Sequence, residues 1–325
     1  MPGWRGLAAA TLAIAVIVDT SAGDGRAQSY PQRPVKVLVP APAGVGPTDL
    51  PARIVTEALS GIMGQRFVVE NKPGAGGVVA GEAVARAAAD GYTLLYANSS
   101  VLAVNPALYK TMPYDTATAF ALIGFATNSP QAFLVRPSLP VKSVAELLAY
   151  SKANPGKLNY ASSGTGTLPH LTFELFKMES GLNAVLVPFA GGAPALTAVI
   201  GNQADFLIDL VTPRIKSGEV RPIVVTGEAR HPDLPDVPTI AEAGFPSVTS
   251  TSWTGLVAPA ATPKEIVTLL NAKLNQAVAM PEVRAKLAAA GLAPKSGTPE
   301  EFAAWAAKER VRWARVVQAS GAKPQ

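Results

Sequence analysis

Short apolar runs alternate with helix-spaced apolar stripes along most of the chain. Val35-Lys36-Val37-Leu38-Val39 reads as a strand and leads into a Pro/Gly loop over 40–47. Ala52, Val55, Leu59 and Ile62 then recur at helical spacing until Gly64 stops the pattern. Phe67 to Glu70 is a second short strand, 71–77 a glycine-rich turn, Val78 to Ala89 a small-residue helix, and Tyr92 to Ala97 a third strand. Strand, helix, strand, helix, strand in this order implies a parallel sheet with right-handed crossovers.

The middle of the chain repeats the style. Strands are predicted at Ala132–Val135, Leu158–Ala161, Val185–Pro188, Phe206–Asp209 and Pro222–Thr226, with helices at about 168–180 and 193–200. Four Ser/Thr-x-x-Glu pairs predict capped helices: Ser143 with Glu146, Thr239 with Glu242, Thr262 with Glu265, and Thr298 with Glu301. The last two have Pro263 and Pro299 placed for the first helical position. Ile266, Leu270, Leu274 and Val278 make one apolar face, and Phe302, Trp305, Trp313 and Val316 another; both read as packing surfaces.

At 325 residues the chain is too long for one ordinary core, so two domains are expected. Hydrophobic residues at 48% and charged residues at 16% supply large cores and argue against disorder. The beginning reads as an export signal over 1–27: Arg5, an apolar run from Leu7 to Val18, then Gly25-Arg26-Ala27. That run is well short of the roughly 20 residues a membrane span needs, so a protein exported to the periplasm is expected. With no cysteine, a lipid anchor on cysteine, disulfides, thiolate metal sites and a cysteine nucleophile are excluded together. The net charge of +5 is scattered, with no basic block interleaved with aromatics, which argues against nucleic-acid binding but would attract anionic solutes.

Enzyme signatures are scarce. His170 and His231 are the two histidines, too far apart in sequence for a histidine metal cluster. No nucleophile elbow or Walker loop occurs, and Gly44-Val45-Gly46 and Gly74-Ala75-Gly76-Gly77 do not complete a dinucleotide fingerprint. No cofactor, no metal and no catalytic residue are expected. What does recur is a strand, a polar glycine loop and a helix start, at Pro40–Asp49, Ser162–Thr167 and Phe189–Pro194. Such loops present free amides at helix N-termini, where the dipole also favours an anion.

Several stretches carry a family resemblance: Val69-Glu70-Asn71-Lys72-Pro73-Gly74-Ala75-Gly76-Gly77, Asp90-Gly91-Tyr92-Thr93-Leu94-Leu95 and Asn105-Pro106-Ala107-Leu108-Tyr109 in the first part, then Pro155 to Ser162, Gly191 to Leu196 and Leu234 to Thr239. From Tyr30 to its end the chain resembles the Bug/TctC family, extracytoplasmic solute-binding receptors of tripartite tricarboxylate transporters. The resemblance implies an α/β, two-lobe periplasmic-binding-protein (Venus flytrap, type II-like) fold, two Rossmann-like domains joined by a two-segment hinge. The division expected is 28–126 plus 250–325 for one domain and 127–249 for the other. It also implies a small carboxylate (mono-, di- or tricarboxylate, acidic amino acid or aromatic acid) held by loop amides, hydroxyls and waters, and delivery to membrane permease subunits by a monomer. A periplasmic sensor subunit is the alternative.

Carried over residue by residue, the expected ligand loop of the first domain is Pro42, Ala43, Gly44, Gly46, Thr48 and Asp49, with Ser99 and Ser100 after the third strand. The second domain would supply Ser162, Ser163, Gly164, Thr165, Gly166, Thr167 and His170, then Gly191, Gly192 and Ala193, with Asp209 at the ligand's far end. His170 is equally a capping residue on this reading, and Asp49 a holder of loop amides. Two departures from the family pattern stand out: the first loop is one residue longer, and the segment after Asp209 is shorter and more apolar.

Overall fold

The computed structural model describes residues 30–323 apart from Val45, Pro213, Arg214 and Lys216. The export signal expected over 1–27 lies outside the described residues, as does part of the segment after Asp209.

Nine strands and nine α-helices are named here in chain order. The first lobe opens with β1 (Val35–Val39), α1 (Gly46–Met63), β2 (Phe67–Asn71), α2 (Val78–Ala85) and β3 (Thr93–Asn98). A π-helical turn, Ser100–Val104, leads into the short α3 (Asn105–Leu108). The long β4 (Phe120–Val135) enters the second lobe, made of α4 (Val144–Ala153), β5 (Asn159–Ser162), α5 (Leu168–Ser180), β6 (Val185–Pro188), α6 (Gly192–Ile200), β7 (Phe206–Leu210) and β8 (Arg221–Val225). β9 (Thr251–Pro259) returns to the first, followed by α7 (Lys264–Ala279), α8 (Pro281–Ala289) and α9 (Pro299–Ser320).

The strands follow the order β2-β1-β3-β9-β4-β7-β5-β6, with β8 also on β4. β4 joins the two halves of this curled sheet. Its residues 120–130 pair antiparallel with β9, its residues 131–135 with β7 and its residues 132–135 with β8 as well. Pro130, which has no N–H to give a ladder, falls where β4 changes partner. This is a two-lobe fold. Each lobe buries its own helices: Leu270, Leu274 and Val278 of α7 pack with Val37, Leu59 and Leu256, while Leu196 and Val199 of α6 pack with Leu134 and Leu207.

The element boundaries follow the pattern of the chain closely, and the differences have physical causes. β4 runs twelve residues further upstream than the four-residue strand expected at Ala132–Val135, because its polar, glycine-broken stretch gains partners from β9 and from the segment around Ala293. The helix expected over 78–89 stops at Ala85: the Ala87 amide closes a tighter turn on the Val84 carbonyl, and Asp90 accepts from the Tyr92 amide. Thr239 and Glu242 make both bonds of a capping box but cap a turn, which Gly244 and Pro246 follow before a helix can grow. Pro263, not Thr262, caps α7, and the Thr262 hydroxyl makes no hydrogen bond. Thr298 and Glu301 complete their box on α9, with Pro299 at its first turn.

Candidate ligand-binding cleft

In the first lobe β1 lies between β2 and β3, all parallel; in the second β5 lies between β6 and β7 in the same way. The direction of winding therefore reverses at β1 and at β5, which opens a crevice at the carboxyl ends of these strands in each lobe. The sequence-identified loops fall there: 42–49 after β1, Ser99–Ser100 after β3, 162–167 after β5, 191–193 after β6, and Asp209 near the end of β7.

The first loop is held from beneath. Asp49 is fully buried in the first turns of α1, and its carboxylate accepts from the Gly44 amide (2.7 Å), Arg53 Nε (2.8 Å) and Asn71 Nδ2 (2.6 Å). Burial alone would raise its pKa, but these hydrogen bonds together outweigh it and keep Asp49 ionised below the usual carboxylate range. Asp49 thus takes the holding role. Pro42, Ala43, Gly44 and Gly46 stay exposed on the rim, the two glycines at φ +71°. Thr48 is buried, and its hydroxyl accepts from Asn98 Nδ2 at 3.2 Å. Asn98 in turn accepts from the Val101 amide, which fixes the turn carrying buried Ser99 and half-buried Ser100.

The second-lobe loop is tied to itself. The Ser162 hydroxyl accepts from the Gly164 amide, the Thr167 hydroxyl donates to the Gly164 carbonyl (2.7 Å), and Ser163 and Thr167 hydroxyls lie 3.3 Å apart. Thr165 is half-buried on the same turn. The Gly166 amide donates to His170 Nδ1 at 3.0 Å. Burial, with the nearby Lys177 charge, lowers the His170 pKa to about 4, so the imidazole is neutral and acts as the acceptor that closes the loop. Its Nε2 stands 3.9 Å from Glu174.

At the third loop two glycines do different work. Gly191 has φ +115° with open space beside it, so its need is conformational. Gly192 has an ordinary φ, but a Cβ there would stand 3.1 Å from Asp209 Oδ2, so its need is room. Ala193 is exposed beside them. Asp209 accepts from the Leu210 amide at 2.8 Å, and burial pushes its pKa up to about 6 against that bond. Under it lies Tyr160, wholly buried and stacked on Phe173 at 4.0 Å, its hydroxyl without a hydrogen-bond partner and its pKa raised by burial and then by the Asp209 charge.

The lobes touch on both flanks of these loops. A Cβ on Gly166 would collide with Leu108 of α3, so that glycine lets the second-lobe loop sit against the first lobe. On the other flank Leu210 packs with Ile54, Leu287 and Leu292, while the Val211 carbonyl sits over Gly291. Sequence reasoning missed Asn98, Tyr160, Leu108 and Leu210. Asn98, a lone polar residue ending an apolar strand, carried a readable signal; Tyr160 and Leu108 look like ordinary core. A cavity of about 560 Å³ lined by Asn128, Thr251, Lys295 and Trp305 shares none of the expected ligand residues. Strand-end topology, not cavity size, marks the cleft.

Sequence and fold comparisons place the chain among known proteins. The profile of the TctC family, described as the tripartite tricarboxylate transporter family receptor, matches residues 51–322. The chain belongs to that family. BugT of Bordetella pertussis is 36% identical over 301 residues, 91% of this chain and 92% of BugT. Among solved structures, Rpa4515 of R. palustris with adipate superposes at a TM-score of 0.81 with 37% identity, covering 91% of this chain and all of that one. MatC of Rhodopseudomonas palustris with bound malate gives 0.78 and 34%, covering 89% of this chain and all of MatC. The TctC receptors are extracytoplasmic solute-binding proteins, and the chain is such a binding protein and not an enzyme. Among the described residues no helix is long and apolar enough to cross a membrane.

Proposed function

We propose that the protein captures a small carboxylate between its lobes in the periplasm, after export through its leader, and delivers it as a monomer to permease subunits of a tripartite tricarboxylate transporter. What supports this reading is that amide-rich strand-to-helix loops stand at the strand ends of both lobes, beside the interlobe contacts at Leu108 and Leu210. None of the expected ligand residues is Lys or Arg, so backbone amides, hydroxyls and helix starts compensate the anion. The related proteins with adipate and malate support the same chemical class.

In this reading the rim residues Pro42, Ala43, Gly44 and Gly46, with Thr48, Ser99 and Ser100 behind them, face the second-lobe groups Ser162 to Thr167, His170 and Gly191 to Ala193. Asp49 and His170 act by holding the loops. Asp209 meets the ligand's far end and favours a hydroxyl or amine there over a second carboxylate. Domain one is 28–126 with 250–325 and domain two 127–249; the change of partner along β4 at 130–131 supports a crossing at that end of the range.

A thermal-shift panel tests it. A matching acid binds only the folded state and so adds about 2.7 kcal/mol of stability at a hundred times its Kd, which raises the melting temperature. Malate, adipate and aspartate should include at least one stabiliser, and their neutral amides none. Stabilisation by amides or sugars with no response to any acid would overturn the reading.

A further inference from the structure

A cavity of about 560 Å³ lies at the two chain crossings, and none of the cleft-loop residues lines it. Its walls come from Asn128 and Pro130 of β4, the 227–232 loop, the 249–251 return segment, Lys295, and one face of α9. That size falls in the range of about 300–1,000 Å³ typical of small-molecule sites. The residues belong to both lobes and to the hinge.

Its charges do not cancel. Arg230 is satisfied by Glu242 at 2.9 Å and Arg312 by Glu309 at 3.5 Å. Lys295 and Lys308 form no ion pair among the described residues, against one uncompensated carboxylate, Glu228. Lys295 lies 5.0 Å over the Trp305 ring and 4.7 Å over Phe125, which holds its ammonium beside an aromatic wall. Three polar atoms on lining residues are buried without a hydrogen bond: Trp305 Nε1, Thr251 Oγ1 and Asn128 Oδ1. Native proteins leave few such groups, and each calls for an explanation. An aromatic wall, two unpaired ammonium groups and two unpaired donors, Trp305 Nε1 and Thr251 Oγ1, form one chemistry: acceptance of a negative group on a flat apolar body; Asn128 Oδ1, an acceptor, takes no part in it.

We propose that this hinge cavity is a second binding site, for a small organic anion with a planar apolar body, distinct from the cleft. The proposal stands apart from the cleft reading, since no residue is shared. Benzoate is the probe and benzamide its neutral counterpart, followed through the indole N–H signal of Trp305 in a ¹H–¹⁵N spectrum assigned with Trp305→Phe. Benzoate should shift that signal saturably, and benzamide should do so at least tenfold more weakly. Lys308→Glu, at an exposed position on α9, should weaken benzoate at least fivefold at unchanged melting temperature, and Lys295→Gln should do the same. The response should persist in Gly192→Val, where the cleft is obstructed. No saturable shift of Trp305, equal binding of benzamide, indifference to both lysine changes, or loss in Gly192→Val would each overturn the proposal.

Discussion

Thr226 and Ser250 are bonded to each other in both directions. The Thr226 hydroxyl lies 2.7 Å from the Ser250 carbonyl, and the Ser250 amide donates to the Thr226 carbonyl at 2.8 Å. The same hydroxyl accepts from the Gln131 amide at 3.0 Å, while the Thr226 amide donates to the Gln131 carbonyl at 2.7 Å. One buried threonine therefore ties together β4 and the returning strand segment, the two crossings between lobes.

That knot gives the first prediction. Thr226→Val keeps the shape but removes the hydroxyl, leaving the buried Gln131 amide short of its acceptor. A loss of about 1–3 kcal/mol is expected, read from the urea midpoint, with Thr226→Ser restoring most of it. A valine variant as stable as the parent would show that the hydroxyl does not hold the crossings.

The second prediction concerns pH. The folded His170 pKa of about 4 lies below its ordinary 6.5, so its burial costs nothing above 6.5 and costs stability as pH falls toward 4. The folded Asp209 pKa of about 6 lies above its ordinary 3.8, so its burial costs nothing below about 4 and costs stability as pH rises toward 6. Between pH 4 and 6 the two slopes oppose. Asp209→Asn removes one of them, so its stability should climb more steeply with pH across that window than the parent's. Parallel curves from urea titrations at pH 4.5, 5.2 and 6 would show that Asp209 is not desolvated as the geometry indicates.

Much of this architecture was legible in the chain. The helix over 168–180 and the strand over 185–188 were readable to the residue, because Gly181 and the prolines punctuate them. The three loops were legible because glycine and hydroxyl residues between a strand and a helix have few other uses. The upstream part of β4 was not, since its alternation is broken by Gly124, Asn128 and Pro130 and its order comes from distant partners. Thr262 with Glu265 shows the limit of local motifs: the pair is correct in spacing, but Pro263 takes the cap. The roles of Leu108 and Leu210 depend on the opposite lobe, which no local window contains.

The third prediction separates the two glycines of the 191–193 loop. Gly191→Ala forces a side chain into φ +115°, a region that alanine rarely enters, so the loop should shift and stability should drop by about 1–3 kcal/mol. Gly192→Val has an ordinary backbone, so its branched side chain should press on Asp209 with little loss of fold. Calorimetry with the stabilising acid should then find binding abolished in Gly192→Val at nearly unchanged melting temperature. Full affinity in that variant would mean the ligand does not approach the chain at this loop.

The last prediction concerns closure. Leu210 extends from the end of β7 and is 7% exposed among Ile54, Val283, Leu287 and Leu292, residues of the opposite lobe. A side chain buried only when two lobes meet stabilises their contact more than either lobe alone, since opening returns its surface to water. Leu210→Ala removes most of that surface, so the equilibrium should move toward the open arrangement; about 1.4 kcal/mol is enough for a tenfold shift in population. The chain has no cysteine, so spin labels can be placed cleanly at Val68→Cys and Val185→Cys. Those positions are exposed and lie on β2 and β6, the two outermost strands of the sheet order. Without ligand, Leu210→Ala should gain a longer-distance population relative to the parent, and Leu210→Met should not. Identical distance distributions in all three would mean that closure is held elsewhere, and that the short apolar segment after Asp209 only lines the wall.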